Sequence, residues 1–166
     1  MFFAVPAAAD QLRTADPFEE QNAVDAALLA ELENEWPLEE APVILDPYGK
    51  SPLTAMIVFS TQEETDVTVT VRGKEKENNI TGHFPAAKDH LIPVYGLYNG
   101  DTTQVEVVLG DGNSRVFEVE TEKLEIPVGE IAVEMYQPQD YDYGQITIAC
   151  SLGGLLYGID AAGDIR

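Results

Sequence analysis

The sequence predicts a mainly β protein: an antiparallel β-sandwich of about seven strands, with one helix before it and a short β-hairpin after it. Two observations carry that prediction. From "APVILDP" onward the apolar residues change from helical spacing to alternation, as in "TDVTVTVRG", where Val67, Val69 and Val71 interleave with threonines. The alternating runs are short, and clusters of Gly, Asn and Asp divide them with no helical stretch between.

The chain opens on "MFFAVPAAAD", a short apolar run followed by an Ala-x-Ala-like stretch. It has the ending of a secretory signal but no basic start and a short apolar core. A trimmed signal peptide and a small hydrophobic arm both fit. The next segment, "TADPFEEQNAVDAALLAELENEW", carries a helix start: Asp16 suits the N-cap, Pro17 the first helical position, and Glu19 a capping box. Val24, Leu28 and Leu32 recur at four-residue spacing, with Ala27 and Leu29 beside them, and Pro37 is the expected stop. Glu31, Glu33 and Glu35 oppose the helix dipole at its carboxyl end, so this helix must owe its stability to docking.

In "LDPYGKSPLTA" a tight turn at Pro47–Gly49 precedes the apolar run "MIVFS". Pro52 cannot donate to a ladder, so it suits a strand's first residue or an edge, and a strand is predicted from about Leu53 to Ser60. "NNITGHF", "HLIPVYGLY", "TQVEVVLGD" and "SRVFEVETEKLEIPV" supply further strands, separated at Gly73–Asn79, Asn99–Asp101 and Asp111–Asn113. That number and spacing of strands points to a sandwich of immunoglobulin-like type, and a small barrel shares the pattern. After Met135 comes the break "YQPQDYDYG", then two strands around a Gly-Gly turn and another turn at Ala162–Gly163. Three units result: residues 1–39 as arm and amphipathic helix, 40–135 as sandwich, and 136–166 as linker and hairpin. A chain that stops just beyond a turn reads as one that has been cut, so a further domain is expected to follow.

Composition narrows the function classes. In 166 residues, 30 Asp+Glu oppose 9 Lys+Arg, a net charge of −21. Such a surface repels nucleic-acid phosphates and anionic membranes, and no basic cluster offsets it. With 45% hydrophobic residues the chain is nevertheless rich enough to bury a core. No stretch approaches the roughly 20 apolar residues of a membrane span. A single cysteine, Cys150, rules out an intramolecular disulfide and a thiolate metal site.

Three segments resemble one family. "LDPYGKSPLTA" resembles an Asn-Pro-Tyr-Gly-x-x-Pro-Leu-Thr-Ala motif, with Asp46 where asparagine is usual, and Pro47, Tyr48, Gly49, Pro52, Leu53 and Thr54 in place. "HLIPVYGLYNGDTTQVEVVL" is similar to a His-x-Ile-Pro-Val-x-Gly-Leu-Tyr segment, through His90, Pro93, Gly96, Leu97 and Tyr98. "GIDAAGDIR" resembles the first propeller strand and turn of the same family, the bacterial aryl-sulfate sulfotransferases. Over residues 42 to 166 the resemblance implies their amino-terminal immunoglobulin-like domain and the start of a β-propeller. It implies an exported enzyme that moves a sulfuryl group from a phenolic sulfate ester to a phenol through a propeller histidine. That histidine lies outside this sequence, so the motif residues are expected to be structural. No catalytic, cofactor-binding or metal residue is assigned here, and the expected partners are the chain's own propeller and, through pairing, a second copy.

Other candidates have plainer readings. His90 falls inside a sandwich motif and His83 near a turn, and neither has a basic cluster beside it. Asp111, Asn113 and Glu118 lack the roughly 12-residue calcium-loop spacing and read as a hairpin turn. Asp140 and Asp142 read as linker, and Cys150 and Ser151 lack a base or an elbow motif. Tyr95 and Tyr98 could be taken for a sugar-stacking platform. They would lie on opposite faces of a continuous strand, so at most one faces the core unless Gly96 bends the chain, and a core or corner tyrosine is the plainer reading. Tyr48 is expected to anchor the strand to a neighbouring domain rather than to contact a ligand. Set against the transferase reading is an exported binding or adhesion module for a glycan or protein.

Overall fold

An eighteen-residue strand runs through the centre of the protein and explains how several short sequence runs become one sheet. The computed structural model describes residues 17–124, 147–150 and 156–166. Within them are helix α1 (Pro17–Leu32) and strands β1 (Val43–Leu45), β2 (Thr54–Val71), β3 (Ile80–Tyr95), β4 (Thr102–Leu109) and β5 (Ser114–Glu120). A separate hairpin pairs β6 (Thr147–Cys150) with β7 (Leu156–Ile159). Every ladder is antiparallel.

The runs "TAMIVFS" and "DVTVTV" are the two halves of β2, and "NITGHF" and "HLIPVY" the two halves of β3. They join because β2 and β3 pair along their whole length, with register shifts between Ser60, Thr65 and Val67. Thr61–Glu64 on β2 stand against Lys88 alone and Pro85–Ala86 on β3 against Asp66 alone, and such bulges bend a strand without ending it. The first half of β2 lies between β1 and β3, whereas its second half lies between β3 and β4, with β5 beyond. The sheet curls on itself as an immunoglobulin-like sandwich does. Ala55, Ile57 and Phe59 from one half meet Val69, Val105, Val107 and Phe117 from the other in a single core.

Val58 is fully buried outside that cluster, as is Leu28. Helix α1 packs on β2 and β3, so this part of the sheet is covered on both faces and its sequence runs nearly continuously apolar. Val24 and Leu32 are half-buried beside Leu28, while Ala27 and Leu29 are exposed. The docking stripe is narrower than the sequence indicated. The helix ends at Leu32 rather than at Pro37: Asn34 caps it by donating to the Glu31 carbonyl at 3.3 Å, and Glu35 turns left-handed at φ 49°. Asp16 lies outside the described residues.

Pro52 occupies a turn just before β2, where Thr54 N–H donates to the Ser51 carbonyl at 3.0 Å. Pro93 stands inside β3, opposite Met56, in the half where β3 has β2 as its only partner among the described strands. An edge is where a strand tolerates a missing donor.

Candidate functional site

The lead-in turn is fixed by its own first side chain. Asp46 Oδ1 accepts from the backbone N–H of both Lys50 and Ser51 at 2.8 Å. Its φ of 41° is a left-handed conformation that Asp and Asn tolerate better than other side chains, and Gly49 follows at φ 63°. Aspartate therefore does here what asparagine's carbonyl oxygen would do. Tyr48 reaches back to the helix, its hydroxyl donating to Asp25 Oδ1 at 2.6 Å, and that bond pushes the phenol's pKa up. Tyr48 thus anchors the turn to α1, where a neighbouring domain was expected.

His90 lies in the interior of β3 rather than at its start. Its ring stacks on Phe59 with centroids 4.5 Å apart, and Nε2 is 3.4 Å from Thr61 Oγ1. Burial pulls its pKa below the ordinary histidine value, against opposing pulls from the Asp89 carboxylate and the Ala87 carbonyl. A neutral imidazole stacked in the core is a packing group. His83 is exposed and shares a hydrogen bond with Thr68 Oγ1 at 3.0 Å.

At the end of β3, Gly96 adopts φ 78° and turns the chain. Tyr95 is left 62% exposed while Leu97 and Tyr98 go inside. The strand ends at Tyr95, and the turn at Gly96 carries Leu97 and Tyr98 together into the interior. Tyr98 is the centre of a buried polar cluster that joins the sandwich to the chain after β7. Its hydroxyl accepts from Lys74 N–H at 3.0 Å and donates to Asp160 Oδ2 at 2.8 Å. Asn78 Nδ2 donates to the same carboxylate oxygen at 3.4 Å. The other oxygen, Oδ1, holds the turn that follows by accepting from Ala162 and Asp164 N–H at 3.0 and 3.1 Å.

Arg166 completes the cluster. Its Nε donates to the Gly96 carbonyl at 2.9 Å, Nη1 donates to the Asn78 carbonyl, and the guanidinium lies 4.2 Å from the centre of the Tyr98 ring. Lys74 also approaches that ring, at 4.8 Å, while paired with Asp164 at 2.8 Å. Burial lowers the guanidinium's pKa and raises that of the Tyr98 phenol. An arginine nevertheless stays charged. No local pattern announces this cluster: Asp160 reads as a turn residue, and its partner Tyr98 is 62 positions away.

Asp160–Arg166 pack on the sandwich through this cluster. Ile148 and Leu156 remain exposed, and Ile146 and Leu155 lie outside the described residues. Beside the cluster a groove of about 510 Å³ opens between the lead-in turn, Tyr95–Gly96 and the β6–β7 hairpin. Among the described residues no three His, Cys, Asp or Glu side chains gather as a metal site would need. Asp111 Oδ1 accepts from Asn113 N–H at 2.8 Å, as in a hairpin turn, and Asn113 Nδ2 donates to Glu39. Asp140, Asp142 and Ser151 lie outside the described residues, as does the side chain of Cys150.

Comparison with known proteins fits this architecture. Residues 42–127, just over half of the chain, match the arylsulfotransferase Ig-like domain. The chain belongs to that family. Over 70 residues it is 37% identical to the arylsulfate sulfotransferase AssT of Escherichia coli O6:H1 and 39% identical to that of Lelliottia amnigena. Each alignment covers 39% of this chain and 12% of the relative, so the chain spans about an eighth of those proteins. No solved structure matches it. Both sequence motifs, from Asp46 to Thr54 and from His90 to Tyr98, fall within the arylsulfotransferase Ig-like domain. Asp160 and Arg166 fall beyond it, so the Tyr98 cluster ties that domain to the polypeptide that follows.

Proposed function

We propose that this chain is the amino-terminal, non-catalytic part of an exported arylsulfotransferase. Here it braces a propeller that moves a sulfuryl group from a phenolic sulfate ester to a phenol. In this reading a propeller histidine takes the group from the donor, releasing one phenol, and passes it to the oxygen of the second. The 166-residue chain supplies rigidity, and association with a second copy is a further expected role. The observation that carries the reading is the buried Tyr98–Asp160–Arg166 cluster, which fixes the end of the matched domain to what comes after it. Buried charges and hydrogen bonds are directional, so they set orientation as well as adhesion.

The test is sulfuryl transfer from an aryl sulfate to a phenol, assayed on the longer gene product and on the 166-residue chain. Transfer by the longer product that disappears when propeller histidines are replaced is the expected result. Its absence, or turnover of the ester by the short chain, refutes the assignment.

A further inference from the structure

The groove beside the Tyr98 cluster differs in charge from the protein around it. Acidic residues outnumber basic ones more than three to one in the sequence, yet no Asp or Glu side chain is in the described lining of this groove. It contains two cations, Lys50 and Arg166, and the apolar or aromatic side chains of Leu53, Tyr95, Leu156 and Tyr157. Elsewhere a hollow of about 600 Å³ shows the opposite balance, with Glu39, Glu63, Glu64, Asp66 and Asp111 in its lining and no Lys or Arg.

Neither cation makes a side-chain ion pair among the described residues, although the Asp160 and Asp164 carboxylates attract the Arg166 guanidinium from farther away. Among the described residues Arg72 pairs with Glu106 and Lys74 with Asp164, whereas neither Lys50 nor Arg166 has a carboxylate within ion-pairing distance. Arg166 spends its hydrogen bonds on two backbone carbonyls, and its Nη2 has no hydrogen-bond partner among the described residues. Lys50 is exposed, but its backbone is held by Asp46. The Arg166 guanidinium is therefore fixed beside apolar walls, where the local dielectric is low, while the exposed Lys50 ammonium can swing over the groove on its flexible stem. Ligand sites have this composition: mostly apolar walls with a few charged groups that orient the bound molecule.

We propose that this groove binds a small aromatic anion, with its ring against Leu53, Tyr95 and Leu156 and its carboxylate or sulfonate near Lys50 and Arg166. The proposal does not require the chain to be part of a transferase. Naphthalene-2-sulfonate is a suitable probe, followed by amide chemical shifts in the isotopically labelled chain, with 2-naphthylmethylammonium as the charge control. Expected is saturable one-to-one binding with shifts concentrated at Lys50, Tyr95–Gly96 and Leu156–Gly158, and little response to the cation. Lys50→Glu should weaken the sulfonate about tenfold or more. Tyr95→Ser should weaken both it and 2-naphthoate, and because both side chains are exposed, neither substitution threatens the fold. Equal response to both probe charges, shifts scattered over the sandwich, or unchanged affinity in Lys50→Glu would overturn the proposal. So would failure of the sulfonate to perturb these residues in the longer gene product, because the groove would then be a contact between domains.

Discussion

The sandwich and the segment after β7 are held by different balances of apolar and polar interaction. Phe59, Ile57, Val105 and Val107 are fully buried in an apolar interior, and each touches others of the same kind. Residues 156–166 reach that body mainly through Tyr98, Asp160, Arg166 and backbone hydrogen bonds, with Ile165 alone packed against the apolar core, while Ile148 and Leu156 of their own hairpin stay exposed. An apolar core is non-directional and tolerates modest changes in which atoms touch. A buried polar cluster accepts essentially one geometry, because a misplaced partner leaves a charge or donor unsatisfied. The first makes the domain stable; the second fixes how the next element leaves it.

Removing volume from the sandwich should produce the largest effect. Phe59→Ala deletes a fully buried ring and the stacking partner of His90, and should cost about 3–5 kcal/mol in chemical denaturation. Hydrogen exchange should accelerate across β2, β3 and β4 together. A loss confined to one strand would mean that the two halves of the curled sheet do not share a core.

Tyr98→Phe attacks the other side of the comparison. The ring and its contact with Arg166 remain, but the Lys74 N–H and an Asp160 oxygen each lose a buried partner, at a cost of about 1–3 kcal/mol. Exchange should rise at Leu156–Ile159 and Asp160–Arg166 while β4 stays protected. Equal acceleration in β4 would show that the cluster is part of the sandwich's own stability rather than a separate fastening.

These two regions were unequally legible in the sequence. Alternation is a local signal, so Val67, Val69 and Val71 announced a half-buried strand, and their inward orientation follows from period alone. The same signal divided β2 and β3 into separate runs, because Thr61–Glu64 and Pro85–Ala86 break the apolar pattern without breaking the pairing. Gly96 marked a possible bend, and the structure uses it to bury Tyr98. The polar cluster was invisible for a different reason. Asp160 and Arg166 look like surface residues beside a glycine turn, and their partners Tyr98 and Asn78 are 62 and 88 positions away, so no window of sequence contains the reason for their burial.

The smallest effect tests how dry the sandwich core is at His90. Burial lowers the imidazole's folded-state pKa below its unfolded value, so the unfolded chain binds the proton more readily. Stability from the neutral ring is therefore fully present above the unfolded value of about 6.5 and is lost as pH falls through and below it. Once the folded state also protonates, the loss levels off. Carboxylates titrate lower, so a difference between wild type and His90→Phe isolates the ring, and phenylalanine can keep the stack on Phe59. Melting measured from about pH 7.5 to about pH 5 should fall more steeply for wild type than for the variant. Parallel curves would mean that water or the nearby Asp89 carboxylate stabilises the imidazolium as well in the folded chain as in the unfolded one. The core at that point would then be wet, and the contrast between an apolar body and a polar fastening would narrow.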